Sequence, residues 1–154
     1  MQTLEADLDT MATLKAGTVS QHKAIEQLMP FFKHGFSLKQ YTDILAAFLG
    51  FFEPLENSLI SVIGNRAPVI DISHRMRARL LRNDLRVLGL STSSISAIPR
   101  CHQLPVLRDL SDGLGCLYVL EGSTLGGQLI ARELRRCFNI DLNSGASFLR
   151  RSFW

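Results

Sequence analysis

Lys15, Thr18, His22 and Glu26 follow one another at intervals of three, four and four residues, so on a helix they share one side. A neutral imidazole set there can offer one ring nitrogen to a metal ion. The carboxylate one turn further on can accept a hydrogen bond from the other nitrogen, directly or through water. A lysine two turns before the histidine has the reach to pair with an acidic edge of a bound molecule. The same four residues also describe an ordinary half-exposed helix histidine with its charged neighbours in solvent, and spacing alone does not choose between the two.

The metal sites that use several side chains find no support. The chain has no Glu-x-x-His pair, as the di-iron carboxylate bundles require, and no His-Glu-x-x-His, as many zinc hydrolases require. The adjacent Cys101 and His102 match no structural zinc spacing. What remains is coordination by one histidine, the manner in which haem iron is held on its proximal side.

A second unusual stretch is Tyr118-Val-Leu-Glu-Gly-Ser-Thr-Leu-Gly-Gly-Gln128, rich in glycine yet helical in pattern. Each glycine inside a helix costs about 1 kcal/mol relative to alanine, so Gly122, Gly126 and Gly127 call for a reason. At about 100° per residue Gly115, Gly122 and Gly126 fall close together on one face. That face is a trough without side chains, where a flat molecule can touch backbone. Tight packing of a neighbouring helix would explain the same glycines. Ser123 is the nearest polar side chain, and its hydroxyl can equally bond back onto its own helix.

The elements that must carry these residues are all helical in period. A first helix is expected from Leu8 to Leu28, stopped by Pro30. Ser37 and Gln40 have capping-box spacing and open a very apolar helix, which Pro54 should kink or divide. Gly64 to Pro68 reads as a turn. Asp71 or Ser73 can cap a helix ending at Gly89, and Ser91 to Pro99 reads as a loop. Pro105 precedes a long glycine-containing helix carried to Cys137. Asn139 to Gly145 is a turn, and Ser147 to Trp154 begins a further helix. Without a hairpin signal or a period-two run, the fold class is all-α, a single-domain multi-helix bundle over residues 1–154.

Composition narrows the function. Of 154 residues 46% are hydrophobic, enough for a real core, and a net charge of +3 does not require a nucleic-acid partner. Arg75, Arg79, Arg82 and Arg86 form a basic stripe opposite Ile72, Met76, Leu80 and Leu88, read as a solvated face with at most a docking role for an acidic partner. The phenylalanines from Phe31 to Phe52 read as core. Three cysteines leave one unpaired in any disulfide scheme, which fits reduced thiols in a cytoplasmic protein. The polar N-terminus is no signal peptide, and the apolar window Leu114 to Ala131 holds Glu121 and runs into Arg132, so no membrane span is expected.

Leu14-Lys-Ala-Gly-Thr-Val-Ser-Gln-His-Lys-Ala-Ile-Glu26 resembles the proximal helix of haem oxygenases, and Gly115 to Gln128 resembles their distal helix. The likeness is greatest to the bacterial biliverdin-producing enzymes that accompany phytochromes. It implies two facing helices of one bundle, with His22 as the iron ligand, Glu26 beside the ligating ring, and Lys15 a partner for a haem propionate. Thr18 and Tyr118 lie on the haem-binding stretches. Gly122, Gly126 and Gly127 become the kink above the iron, and Ser123 a polar member of the distal water network. Haem is then both cofactor and substrate, opened to biliverdin with O₂ and electrons from an external reductase or ferredoxin, releasing carbon monoxide and iron. A bacteriophytochrome is the partner implied for the product.

Family members continue beyond the point where this chain stops at Phe148-Leu-Arg-Arg-Ser-Phe-Trp154, so C-terminal helices are expected to be missing or truncated. Two rivals accompany the haem reading. One is a haem-free relative acting on another small molecule, of the thiaminase type, in which Cys116 or Cys137 would be the nucleophile. The other is a non-catalytic haem-binding or scaffold protein that docks through the arginine stripe.

Overall fold

The computed structural model describes residues 2–64, 70–122 and 126–150, with side chains described from residue 12 onward apart from 14 and 15. About these residues the chain is all-α, as its periodicity predicts, and they contain no strand. It divides into two compact units, Met1–Phe36 and Ser37–Trp154.

The first unit is helix α1 (Gln2–Leu28) and the turn after it. Pro30 ends the helix as expected, while the start lies six residues before Leu8, at Gln2. The Lys33 ammonium donates to the carbonyl of Gln27 at 2.8 Å and so satisfies one of the last helical acceptors. Phe31 is buried and meets Phe36 edge-on, with ring centroids 5.5 Å apart. Phe32 corrects the expectation of an all-core phenylalanine set: it is 65% exposed.

The second unit is built around α2 (Leu38–Ile63). Its capping box is formed as the sequence predicts: the Gln40 amide donates to Ser37 Oγ, and the Ser37 amide to the Gln40 side chain. Tyr41, Leu45, Leu49, Phe52, Leu55, Leu59 and Ile63 are buried at three- and four-residue spacing. Pro54 neither divides nor ends the helix. Proline has no N–H, so the carbonyl of Gly50, one turn earlier, loses its helical donor. The amide of Cys101 takes that place at 2.9 Å. Glycine at position 50 is what allows the approach, because a Cβ there would stand 2.5 Å from the Pro99 carbonyl oxygen. By length and apolar composition α2 is the one helix among the described residues that could cross a membrane, and 44% of its most apolar window is buried as core.

The expected helix from Asp71 to Gly89 is two elements. A 3₁₀ turn (Ser73–Arg75) begins where the Asp71 carboxylate accepts from the Ser73 amide and hydroxyl. Extended backbone at Met76 follows, and then α3 (Ala78–Val87). The start of α3 has no cap of its own. The buried Glu56 carboxylate, reaching from α2, accepts from the amides of Arg77 and Ala78. Gly89, at φ +96°, ends the helix as expected, with Leu90 N–H on the Leu85 carbonyl and Gly89 N–H on that of Arg86. This break rotates the faces. Leu81 and Leu85 are the buried leucines, and the arginine stripe dissolves: Arg75 sits outside α3 beside Glu121, and Arg82 binds Glu53.

The polar run after Ser91 is not a loop throughout. It holds α4 (Thr92–Ser96), capped by Ser91 Oγ accepting from the Ser94 amide, with Ile95 buried. The expected long glycine helix is described as α5 (Leu110–Gly122) and α6 (Gly127–Phe138). Asn139, left-handed at φ 54°, ends α6 one residue beyond Cys137. Ser147 opens a 3₁₀ turn (Ser147–Leu149) with extended backbone at Arg150, in place of the start of a helix. The expected turn after Gly64 lies outside the described residues. Among those described, no buried side-chain nitrogen or oxygen lacks a hydrogen-bond partner.

Candidate functional site

His22 is exposed on α1, flanked one turn either way by the exposed apolar side chains Val19 and Ile25. Its Nδ1 lies 2.8 Å from the carbonyl oxygen of Thr18. A carbonyl only accepts, so Nδ1 carries the proton, and a neutral ring then presents its lone pair at Nε2. The sequence pattern offers Glu26 as the orienting group; the bond formed is to backbone one turn earlier. Glu26 is exposed on the next turn. An exposed imidazole with a fixed tautomer and apolar neighbours is a donor set that fits haem iron, which takes one neutral nitrogen and a ring-shaped apolar contact. The side chain of Lys15 lies outside the described residues.

The glycines of the second stretch divide by surroundings. On α5, Gly113 and Leu117 face the core, where a Cβ on Gly113 would meet Ile63 at 3.0 Å. Gly115 and Gly122 face the other way with Tyr118 and Val119, which are 54% and 67% exposed. No described atom lies within 4 Å of where a Cβ would stand on Gly115, Gly122 or Gly126. Packing therefore explains Gly113, while the three glycines of the trough have backbone open to approach by a flat ligand. Gly127 belongs to the packing group, since a Cβ there would come 3.2 Å from the Leu149 carbonyl oxygen. Ser123 lies outside the described residues.

Neither Cys116 nor Cys137 is an activated nucleophile. Burial pushes the Cys116 thiol up, and the Cys137 thiol is raised by its hydrogen bond to the Glu133 carboxylate, which favours the protonated form. Among the described residues no three His, Cys, Asp or Glu side chains gather as a metal-binding group.

Sequence reasoning missed a set of buried charges on and around α3. Asp84 is fully buried and accepts from the Ser147 amide at 2.9 Å, the Ser147 hydroxyl at 2.7 Å and the Phe148 amide at 2.7 Å. Arg77, only 6% exposed, donates to the carbonyls of Arg150 at 2.6 Å and Phe148 at 3.3 Å. Tyr41 donates to the carbonyl of Gly145 at 2.8 Å; burial and the charge of Asp84 push its phenol far above the usual range. Burial likewise raises the Glu56 carboxyl, against the pull of the Arg77 and Ala78 amides. Burial would raise Glu53 too, but hydrogen bonds from Arg82 and Arg100 hold it below the usual carboxylate range. Each of these partners is distant in sequence, so no local motif announces them.

A family model described as "Heme oxygenase" matches residues 8–152. A protein named "Heme oxygenase" from Xanthomonas campestris pv. campestris (strain 8004) is 37% identical over 99 residues, 64% of this chain and 51% of that protein. The chain thus spans about half the length of the curated relative it matches. No solved structure matches it. The match takes in the histidine helix, the glycine-rich stretch and the buried charges of α3 in a single run, and the chain belongs to the haem oxygenase family.

Proposed function

We propose that this chain binds haem through His22 and opens it oxidatively to biliverdin, releasing carbon monoxide and iron, with electrons from an external reductase or ferredoxin. When bound, haem supplies both the iron that reacts with O₂ and the macrocycle that is oxidised. The observation that carries the reading is the Nδ1–H bond from His22 to the Thr18 carbonyl, which leaves Nε2 as the ligating atom. A neutral nitrogen ligand, unlike a thiolate, does not drive early O–O cleavage. The open backbone of Gly122 and Gly126 favours a flat ligand held close, with little hydrogen bonding above it. Tyr118 would border that ligand, Lys15 would pair with a propionate, and Ser123 would order water. The three unpaired cysteines favour a cytoplasmic setting, and a bacteriophytochrome is the acceptor proposed for biliverdin.

The test is a hemin titration of the wild type and His22→Ala, following the Soret band, and then turnover with reductant and O₂ read as biliverdin absorbance. Saturable, stoichiometric binding whose Soret position depends on His22, together with biliverdin formation that His22→Ala abolishes, is the expected result. A variant that keeps full turnover overturns the assignment of His22. Binding without ring opening would move the chain to the haem-carrier reading.

A further inference from the structure

The glycine-rich stretch is tied at one end to Arg75, just before α3, and at the other to Leu149, in a segment that α3 holds. On one side, Glu121, the last side chain before Gly122, pairs with Arg75 at 3.4 Å, and both are largely buried. On the other side, Gly127 packs on the Leu149 carbonyl, the contact that a Cβ would crowd to 3.2 Å. The residues on both sides of Leu149 are held through their backbone. Asp84 takes the amides of Ser147 and Phe148, and Arg77 gives hydrogen bonds to the carbonyls of Phe148 and Arg150. Arg77 and Asp84 are two helical turns apart on one side of α3. A buried anion thus holds the donors of this segment and a buried cation its acceptors.

We propose that Arg77 and Asp84 are positioning residues, which fix segment 147–150 as the seat for Gly127 and so set the place of the glycine backbone that the proposed function gives to haem. The inference rests on that reading for its ligand, but not for its mechanics. Neither residue needs to touch haem. They act through the Leu149 carbonyl on the start of α6, and Arg75, two residues before Arg77 and beyond the extended Met76, holds the end of α5. Buried ionic groups whose hydrogen bonds converge on one segment fix that segment's geometry more than they stabilise the fold. Replacing either one loosens the segment's polar hold while Phe148 still packs on Phe48 and Phe52 and the apolar core around Leu55, Leu59 and Ile63 is untouched.

The experiment is hydrogen–deuterium exchange of the haem-free protein, comparing wild type, Arg77→Met and Gly127→Ala, followed by hemin titration of all three. Gly127→Ala moves the same joint without touching a buried charge, so it serves if Arg77→Met does not fold. The expected result is exchange faster by about tenfold or more at the first hydrogen-bonded amides of α6, 131–133, and at 147–150, with the amides of α2 unchanged. Hemin affinity should fall with it, and Arg77→Lys, which keeps the charge, should recover part of the protection. Unchanged exchange at 131–133 in both variants, or equal acceleration throughout α2, overturns the proposal. If exchange behaves as expected but wild-type protein gives no His22-dependent Soret shift, the positioning role stands and the haem reading fails.

Discussion

Gly50→Ala sets two effects of opposite sign against each other. Gly50 lies within α2, where alanine is worth about 1 kcal/mol of added helix stability. Against this, the new Cβ would stand 2.5 Å from the Pro99 carbonyl oxygen, well inside the 3.4–4 Å of ordinary van der Waals contact. The obstacle is backbone, so relief requires the 98–101 segment to retreat by roughly 1 Å. That retreat stretches the 2.9 Å bond from Cys101 N–H to the Gly50 carbonyl beyond useful length. The carbonyl has no second donor to fall back on, because Pro54 occupies the position that would supply one. A lost bond with its buried acceptor left unpaired costs about 2–3 kcal/mol, to which crowding adds about 1. The net expectation is a destabilisation of about 2–3 kcal/mol, or a fall in Tm of roughly 4–12 °C for a chain of this size. Urea unfolding followed by far-UV circular dichroism reads it as a lower midpoint at unchanged m. Gly115→Ala is the matched control, in mid-helix with open space where the Cβ goes, and should be neutral or stabilised by up to about 1 kcal/mol. If Gly50→Ala shifts the midpoint upward as Gly115→Ala does, the account of how Pro54 is tolerated is wrong.

Two further outcomes follow. Burial raises Glu56 above its unfolded pKa, so its contribution to stability is present at low pH and is lost as pH climbs from the usual glutamate range, about 4.3, toward the raised folded value. Glu56→Gln keeps an acceptor for the Arg77 and Ala78 amides and removes the titration, so urea midpoints of the variant between pH 5 and 7, relative to wild type, should rise with pH; parallel profiles would refute this. Gly122→Ala meets no described atom within 4 Å, so Tm should hold within about 2 °C, while hemin affinity drops by about tenfold from crowding of about 1.4 kcal/mol. Undiminished affinity would detach Gly122 from the haem surface.

Features that rest on neighbouring residues were legible in the sequence. The Ser37–Gln40 box, the stop at Pro30 and the helix ends at Gly89 and Asn139 all depend on chemistry within one or two turns, and all appear in the fold. The candidate residues His22, Gly115, Gly122 and Gly126 were legible for the same reason, being patterns of type and spacing. Features that rest on distant partners were not. Pro54 reads as a breaker until Cys101 is known to supply the missing donor. Arg75 and Arg82 read as surface until Glu121 and Glu53 are seen beside them. The extended residue at Met76 turned the expected helix faces, because a periodicity count assumes that the helix is unbroken. In Ser91–Ser96 polar composition outweighed a cap and one buried isoleucine, and misled.

Tyr41, Arg77 and Asp84 all find their partners in residues 145–150, across separations of 63 to 104 positions. This has a kinetic consequence. Contacts of such long range close late, since the loop entropy must be met before they return any stabilisation. During synthesis α2 and α3 are complete while the backbone groups of 145–150 that hydrogen-bond these buried side chains are still unmade. Until Gly145 to Arg150 arrives, the phenol, guanidinium and carboxylate must stay hydrated, and the helices carrying them cannot dock to final density. The last part of this segment to form is thus the step that dries the interior of α3, and its rate should limit the appearance of native structure.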